Sequence, residues 1–547
     1  MSTVITEDEP GRPSDPLRAA ARRQGPRWQS EQQRRIAFRT GAVLASITLF
    51  TALYYQARSV AVHSDGAGYV LQARDMLHGN LFLHGWTTSD VTYLTTELPW
   101  YMLVEVIRGV NGSTVPTVAA LNYTLIVILS VLAATGGSTG RERWIRGGLV
   151  AAALIAPAAG GVTAATELTS PDHFGTGVPV MAVYVLFDRA GKRRAVPYAV
   201  GALLVLFGIG DQLVLLVAAI PLALVAAARF LRPGPDRRFD GELALCAGAA
   251  TPISLGLVAL IHALGGLSSI NPQFTLIDPS DIVPHAKLTG QCVLMLFSAD
   301  FSGLPPGIKL ASACYHLLAV AVAGYGVVAV LARLLARSRT RMEEAMVVGI
   351  VINLAAFMFT SLSTGDTLMG REISLVLPLA AVLGARVVGS RLAGFRWTPV
   401  GVACCVALSA LSLTVHATAP RAKPEAQDVS SWLLAHKFHH GLGGYWRASI
   451  ITMTTGDRVQ VRGVVGAFGK IAADTWETRS QWYDPATNTA NFLVIDNRPT
   501  MAGYGTELDA LATFGKPIQR VVFKDGLVLI YDHDIMPQLQ PPPPPPS

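Results

Sequence analysis

The chain has 547 residues, of which 51% are hydrophobic, 51 are glycine and only 15% are charged. Soluble chains average about 25% charge. The apolar surplus, with a mean hydropathy of +0.40, excludes an ordinary soluble enzyme and a disordered scaffold. The net charge of +7 does not argue for nucleic acid, because the arginines fall in short clusters between apolar runs rather than on one face.

Residues 1–35 are polar, rich in Pro and Arg, and lack aliphatic runs. They are expected to form a disordered cytoplasmic tail. The apolar run at 36–57 is too long for a signal peptide and has no small-residue cleavage site at its end. It predicts a first membrane helix.

Similar runs follow near 117–135, 147–162, 174–188, 197–209, 212–228, 243–263, 311–332, 345–361, 372–389 and 398–417. Some are shorter than the roughly 17–25 residues that a span needs. The pair 197–209 and 212–228 is either one long helix or two with a turn at Gly208-Ile209-Gly210-Asp211. Basic residues retained on the cytoplasmic side decide between these. With Arg34, Arg35 and Arg39 inside and the pair counted as two spans, every later cluster also falls inside. Those clusters are Arg141/Arg143/Arg146, Arg189/Lys192/Arg193/Arg194, Arg229/Arg232/Arg237/Arg238, Arg333/Arg337/Arg339/Arg341 and Arg386/Arg391/Arg396. The expectation is a mainly α, polytopic membrane domain over 36–417, with about eleven spans and an extracytoplasmic C-terminus.

Between the first two spans lies a long outer loop, 58–116. It opens His63-Ser64-Asp65-Gly66 and continues as a helix-compatible stretch to Leu77, with Tyr69, Ala73, Met76 and Leu77 on one stripe. Gly79-Asn80 stops it. Such a helix lies in the membrane interface and would hold Asp65 at headgroup level. Asp at a helix start is also a good N-cap, so Asp65 is read either as a cap or as a reactive carboxylate. Asp90, Glu97 and a second interfacial helix beginning Leu98-Pro99-Trp100-Tyr101 complete the loop.

The second outer loop reads Thr166-Glu167-Leu168-Thr169-Ser170-Pro171-Asp172-His173. Glu167, Asp172 and His173 there either line a cavity, as charges at membrane depth tend to, or are simply solvated. Asp211 sits between two apolar runs and needs a polar partner if its turn is buried. Arg371, in Gly370-Arg371-Glu372, starts a span on the side poor in basic residues. Its guanidinium suits a lipid phosphate, or it pairs with Glu372 or Asp366.

The last 130 or so residues are more charged and show alternation. Residues 418–535 are expected to form a small extracytoplasmic α/β domain, with a Pro-rich tail at 536–547. A helix is predicted over 427–439, with Val429, Trp432, Leu433 and Phe438 on its apolar face. Strands are predicted at Ser449–Met453, Arg458–Val465, Asn491–Asp496 and Gln519–Tyr531, the last a hairpin turning at Asp525-Gly526. Trp432, Tyr445 and Trp446 are either sugar-stacking aromatics or core. Of five cysteines, only Cys292 and Cys314 are placed to pair, and no Cys/His spacing suggests zinc.

These features resemble the GT-C superfamily of polytopic glycosyltransferases, which use polyprenyl-phosphate-linked sugars and include the bacterial relatives of dolichyl-phosphate-mannose–protein mannosyltransferases. Ser64-Asp65-Gly66 through Met76 is similar to the family's acidic first outer loop. Glu167 through His173 is similar in placement to its second. Gly370-Arg371-Glu372 with Pro378 resembles its late Arg-Tyr-Leu-x-Pro pattern, with Glu in place of Tyr. The resemblance implies a plasma-membrane enzyme that moves a hexose or pentose to a cell-envelope glycan or protein acceptor. Asp65 would be the general base, with Glu167 and Asp172 as fallback bases. His63, Arg74 and Arg371 would bind the donor phosphate, and His173, Tyr445 and Trp446 the acceptor. No cofactor is implied; most of the family needs no metal, although Asp65, Asp90 and Glu167 are carboxylates that could gather one. A transporter or lipid flippase using Asp211 and Arg371, and an assembly factor with a glycan-binding outer domain, are the competing readings.

Overall fold

The computed structural model describes residues 16–158, 161–169, 173–270, 274–335, 340–363, 365–498 and 503–543. The chain divides into two units, one ending at Thr51 and one running from Ala52 to Ser547. The first is helical from Pro16 onward, within α1 (Pro16–Ala57). The expected disordered tail is therefore helical over 16–35, because this stretch is rich in Ala, Arg and Gln, all good helix formers.

In the second unit, α2 (Ser64–Leu77) and α3 (Leu98–Arg108) follow α1 and precede the apolar bundle. The bundle is built from α4 (Thr114–Ala134), α5 (Gly140–Leu154), α6 (Gly161–Leu168), α7 (Gly177–Ala190), α8 (Val196–Gly210), α9 (Ile220–Phe230), α10 (Arg237–Ala263), α11 (Ile282–Leu296), α12 (Ile308–Leu335), α13 (Arg341–Phe359), α14 (Val376–Leu392) and α15 (Thr398–Ala417). Among the described residues, six helices are long and apolar enough to cross a membrane, or seven with a bent pair counted as one span. Every expected span contains a helix, but those at 140–154, 177–190, 196–210 and 220–230 are short. Exposed Leu245, Val328 and Leu411 point outward from long apolar helices, as lipid-facing side chains do.

Two breaks in the bundle carry polar groups. The chain breaks at Asp211, and a π-helical turn at Leu215–Ala219 leads into α9. The pair 197–209 and 212–228 is thus two helices, as the arginine pattern requires. A 3-10 helix at Thr367–Ile373 meets α14 at 59°, which sets Arg371 and Glu372 in the bend. Asp366 caps that turn by accepting from the Leu368 N–H at 3.0 Å.

The C-terminal domain comprises α16 (Gln427–Ala435), α17 (Tyr445–Thr454), α18 (Glu507–Phe514) and most of the strands. In chain order the strands are β1 (Trp86–Thr88), β2 (Ser268–Ser269), β3 (His440–Gly444), β4 (Gln460–Ala467), β5 (Lys470–Ala473), β6 (Thr478–Arg479), β7 (Phe492–Asp496), β8 (Gln519–Val522) and β9 (Gly526–Ile530). The main sheet has the order β5-β4-β3-β7-β9-β8. Its two central pairings, β3 with β4 and β3 with β7, are parallel, and the others are antiparallel. The hairpin at Asp525-Gly526 forms as expected.

The segment Ser449–Met453, expected as a strand, lies instead inside α17. Its β-branched run is buried on nearly all sides, and a fully buried short apolar run does not distinguish strand from helix. The ordered domain also extends past 535. Met536 is buried and the Ala473 N–H donates to the Gln540 carbonyl at 2.9 Å, so the Pro-rich tail begins later than expected. Its last residues, 544–547, lie outside the described residues. Cys292 and Cys314 are both free, one buried and one exposed.

A second, three-stranded sheet joins distant parts of the chain. β1 pairs in parallel with β2 and antiparallel with β6, in the register Trp86↔Arg479 and Thr87↔Thr478. The first loop is thereby stitched to the C-terminal domain. Arg479 pairs with Asp75 at 2.8 Å, the Trp86 indole donates to the same carboxylate at 2.7 Å, and Trp86 packs edge-on against Trp482. α2 is consequently buried over most of its length. It is covered by protein on more sides than the single stripe its sequence suggested.

Candidate active site at the start of α2

Asp65 is the second residue of α2. The N-cap is His63, which makes no side-chain capping bond, so the capping role considered for Asp65 is not the one it plays. Its carboxylate Oδ1 instead accepts the phenol of Tyr445. That phenol also lies 3.0 Å from Glu477 Oε2. Ser64 Oγ donates to the Tyr445 carbonyl at 2.8 Å, so α2 and α17 are joined at side chain and backbone.

Each partner has a local cause. Tyr445 opens α17 directly after β3. Arg447, two residues on, is tied to Asp496 at 2.9 Å and to the Asp525 carbonyl at 3.1 Å. Glu477 precedes β6 and is carried to α2 by the β1–β6 pairing. Tyr69 is buried beside them, with its hydroxyl 3.3 Å from Ser89 Oγ. Burial, then the Glu477 and Asp65 charges, hold both the Tyr69 and Tyr445 phenols well above the ordinary range.

A second polar cluster lies at the bundle breaks. His173 bridges two carboxylates, with Nδ1 2.9 Å from Asp211 Oδ2 and Nε2 3.2 Å from Glu372 Oε2. Thr176 Oγ1 and the Leu213 N–H donate to Asp211 at 2.6 Å and 2.8 Å. Arg371 Nε is 3.4 Å from Glu372 Oε1. Burial alone would lower the His173 pKa, but the Glu372 and Asp211 charges raise it well above the imidazole range.

Asp90 lies between the clusters, within electrostatic reach of His173, Glu372, Arg371 and Asp211 on one side and of Tyr69 on the other. Burial pushes its carboxyl up, against the pull of His173.

The expected site residues are distributed as follows. Asp65 and Tyr445 are brought together, but Tyr445 is 2% exposed. A buried ring with a bonded hydroxyl offers no face to a sugar, so the expected stacking role does not fit it. Trp446 is half-buried beside it, with ring centroids 5.1 Å apart. His173, expected at the acceptor, is instead the buried bridge between Asp211 and Glu372. Arg74 pairs with Asp457 of the C-terminal domain at 2.5 Å. His63 is half-buried two residues from Asp65.

Glu167 is buried, and neither carboxylate oxygen has a hydrogen-bond partner among the described residues. Burial raises its pKa well above the carboxylate range. Asp172 lies outside the described residues. No group of three or more His, Cys, Asp or Glu among the described residues is arranged to hold a metal; Asp65, Asp90 and Glu167 do not converge.

Glu477 is the residue that sequence reasoning missed. Thr475-Trp476-Glu477-Thr478 resembles any polar turn, and only the pairing of β6 with β1 brings it to α2. Asp211 carried a signal, a lone carboxylate between apolar runs, and its partner proves to be His173.

No protein-family model matches the chain, and no curated relative does. Solved structures do. ArnT from Cupriavidus metallidurans in the apo state is 13% identical, with a TM-score of 0.51 over 92% of this chain and 99% of that one. The same protein bound to undecaprenyl phosphate gives 0.49 at 13% identity, over 90% and 98%. The Archaeoglobus fulgidus oligosaccharyltransferase, in a complex with zinc and sulfate, gives 0.46 at 13% identity, over 85% and 70%. The likeness to the apo ArnT structure is one of fold, and the fold is the expected one, a polytopic helical bundle followed by a C-terminal domain with a sheet.

Proposed function

We propose that the chain is a membrane glycosyltransferase that takes a hexose or pentose from a polyprenyl-phosphate donor, with Asp65 as general base. The observation that carries this reading is the half-buried Asp65 carboxylate. It sits eight residues beyond Ala57, the end of the first helix, on a GT-C scaffold. Oδ1 is bound by Tyr445, while Oδ2 makes no hydrogen bond among the described residues. A carboxylate fixed at one oxygen and open at the other is suited to accept a proton.

The chemistry needs little more. The acceptor hydroxyl oxygen bonds to the anomeric carbon while the bond from that carbon to the phosphate oxygen breaks. The hydroxyl proton passes to Asp65, and polyprenyl phosphate leaves. Attack from the face opposite the phosphate inverts the anomeric centre. Cations stabilise the charge that develops on the phosphate. Arg371, 30% exposed at its side chain, and His63 are the groups proposed for that role. Arg74 is a weaker choice, because Asp457 already engages it. Trp446 is proposed as an acceptor contact. The C-terminal domain is assigned to the extracytoplasmic side, where a cell-envelope glycan or protein would be the acceptor.

The test is transfer of label. Membranes containing the full chain are incubated with undecaprenyl-phosphate [14C]mannose and undecaprenyl-phosphate [14C]arabinose. Enzyme-dependent movement of label from the lipid phase to a polar or polymeric product is expected. Label that stays on the lipid with both probes, as in membranes lacking the chain, contradicts the reading.

A further inference from the structure

We propose that the C-terminal domain is part of the reaction centre, with Tyr445, held by Glu477, acting as the positioning residue that orients the Asp65 carboxylate. This rests on the assignment of Asp65 as the base.

The geometry is specific. One phenol oxygen meets two carboxylates, Asp65 Oδ1 and Glu477 Oε2, the latter at 3.0 Å. A phenol has a single proton to give. Donated to Asp65, it occupies Oδ1 and leaves Oδ2 without a hydrogen bond among the described residues. Donated to Glu477, it would leave Asp65 free to turn about its side-chain torsions. Glu477 therefore tunes how firmly Asp65 is held.

The surroundings keep this arrangement in place. Tyr445 is 2% and Glu477 is 2% exposed. Glu477 has a φ of +46°, a backbone conformation that non-glycine residues enter at a cost. Position 68 is glycine where a side chain would collide with Glu477 Oε2. The Ser64–Tyr445 bond, the Arg447–Asp496 pair and the β1–β6 pairing fix the three backbones independently. A contact serving only to dock the domain would not need a second buried carboxylate on the same phenol. The Arg479–Asp75 and Arg74–Asp457 pairs already dock it.

Both partners act on Asp65 through one phenol. Tyr445→Phe removes the donor that occupies Asp65 Oδ1. Glu477→Gln removes the charged group that holds the phenol from its other side, so turnover should fall in it too, by less. Turnover should fall about 10- to 100-fold in Tyr445→Phe through lost orientation. KM for the lipid-linked sugar should stay within about twofold in both variants, since neither group is assigned a donor contact, and such a loss confined to turnover marks the transition state.

The experiment measures turnover and KM in membranes with the two labelled undecaprenyl-phosphate sugars, for the wild type, Tyr445→Phe, Glu477→Gln and Asp65→Asn. Turnover lost at unchanged KM in Tyr445→Phe and, by less, in Glu477→Gln, with Asp65→Asn inactive, is the expected result. Wild-type turnover in Tyr445→Phe, or a loss carried by KM, with Asp65→Asn still inactive, overturns the positioning role and leaves the base assignment standing. An active Asp65→Asn overturns both. If Tyr445→Phe fails to reach the membrane, Glu477→Gln decides alone: a fall in turnover at unchanged KM supports the proposal and wild-type turnover refutes it.

Discussion

Glu477 and Gly68 approach so closely that a Cβ at position 68 would lie 2.7 Å from Glu477 Oε2. The contact explains a glycine inside a buried helix, where it would ordinarily cost about 1 kcal/mol relative to alanine. What matters there is the room left for one carboxylate.

Gly68→Ala is accordingly expected to separate stability from activity. The added methyl favours helix and displaces only the tip of a flexible side chain. The melting temperature should hold or rise, while turnover drops about tenfold or more as the Tyr445–Asp65 geometry shifts. A thermal melt and a label-transfer assay on the same preparation check this. Unchanged turnover would mean that Glu477 can move without consequence.

The second polar cluster gives a different expectation. His173 is held between Asp211 and Glu372 at 2.9 Å and 3.2 Å, with little solvent access. Breaking one side of a buried ionic group destabilises by about 3–5 kcal/mol. Asp211→Asn keeps the shape and loses the charge, so its melting temperature in detergent should fall by several degrees. A wild-type melt would show that the bridge is dispensable.

Glu105 on α3 is 6% exposed, and its Oε1 has no hydrogen-bond partner among the described residues. Burial raises its pKa to about 8, against a small pull from Arg74. A carboxyl with a raised folded pKa binds more protons folded than unfolded between about pH 4.3 and 8. Stability from this group is therefore present below about pH 4 and is lost as pH rises toward 8. Glu105→Gln removes the titration, so the variant should gain stability relative to wild type as pH rises from 5 to 8. Parallel melting curves for the two proteins across that range would refute the assignment.

Orientation is open to a direct test. The arginine clusters predict that the C-terminal domain is exported. A reporter that is active only after export, fused after Ser547, should be active. Activity of a cytoplasm-only reporter at the same point would reverse the assignment of both faces.

Much of the architecture was legible because apolar runs and arginine clusters report bilayer physics directly. The two-helix reading of 197–228 came from charge placement and is met by the break at Asp211. The burial of α2 was only half legible. Its stripe of Tyr69, Ala73 and Met76 is a genuine buried face, but small residues at Gly66, Ala67 and Gly68 allow close packing on the other side as well, and these looked neutral in the sequence. The helix α17 was misread because Ile450 and Ile451 favour strand locally, and only their packing on the sheet decides.

Half of the candidate site was readable. Asp65 stood out by position after the first span, and Asp211 and Arg371 stood out as charges amid apolar residues. Their partners did not, because Tyr445 and Glu477 lie some 380 and 412 residues beyond Asp65 and nothing local encodes the β1–β6 pairing. Tyr445 was noticed for its ring, whereas the structure uses its hydroxyl.

The most direct test of the account is single turnover by Asp65→Asn with a labelled undecaprenyl-phosphate sugar bound at saturation. The amide keeps the shape of the side chain but cannot take the acceptor's proton. The account predicts donor binding within about twofold of wild type and transfer slowed by about 10²–10⁴-fold. Transfer at the wild-type rate would contradict it.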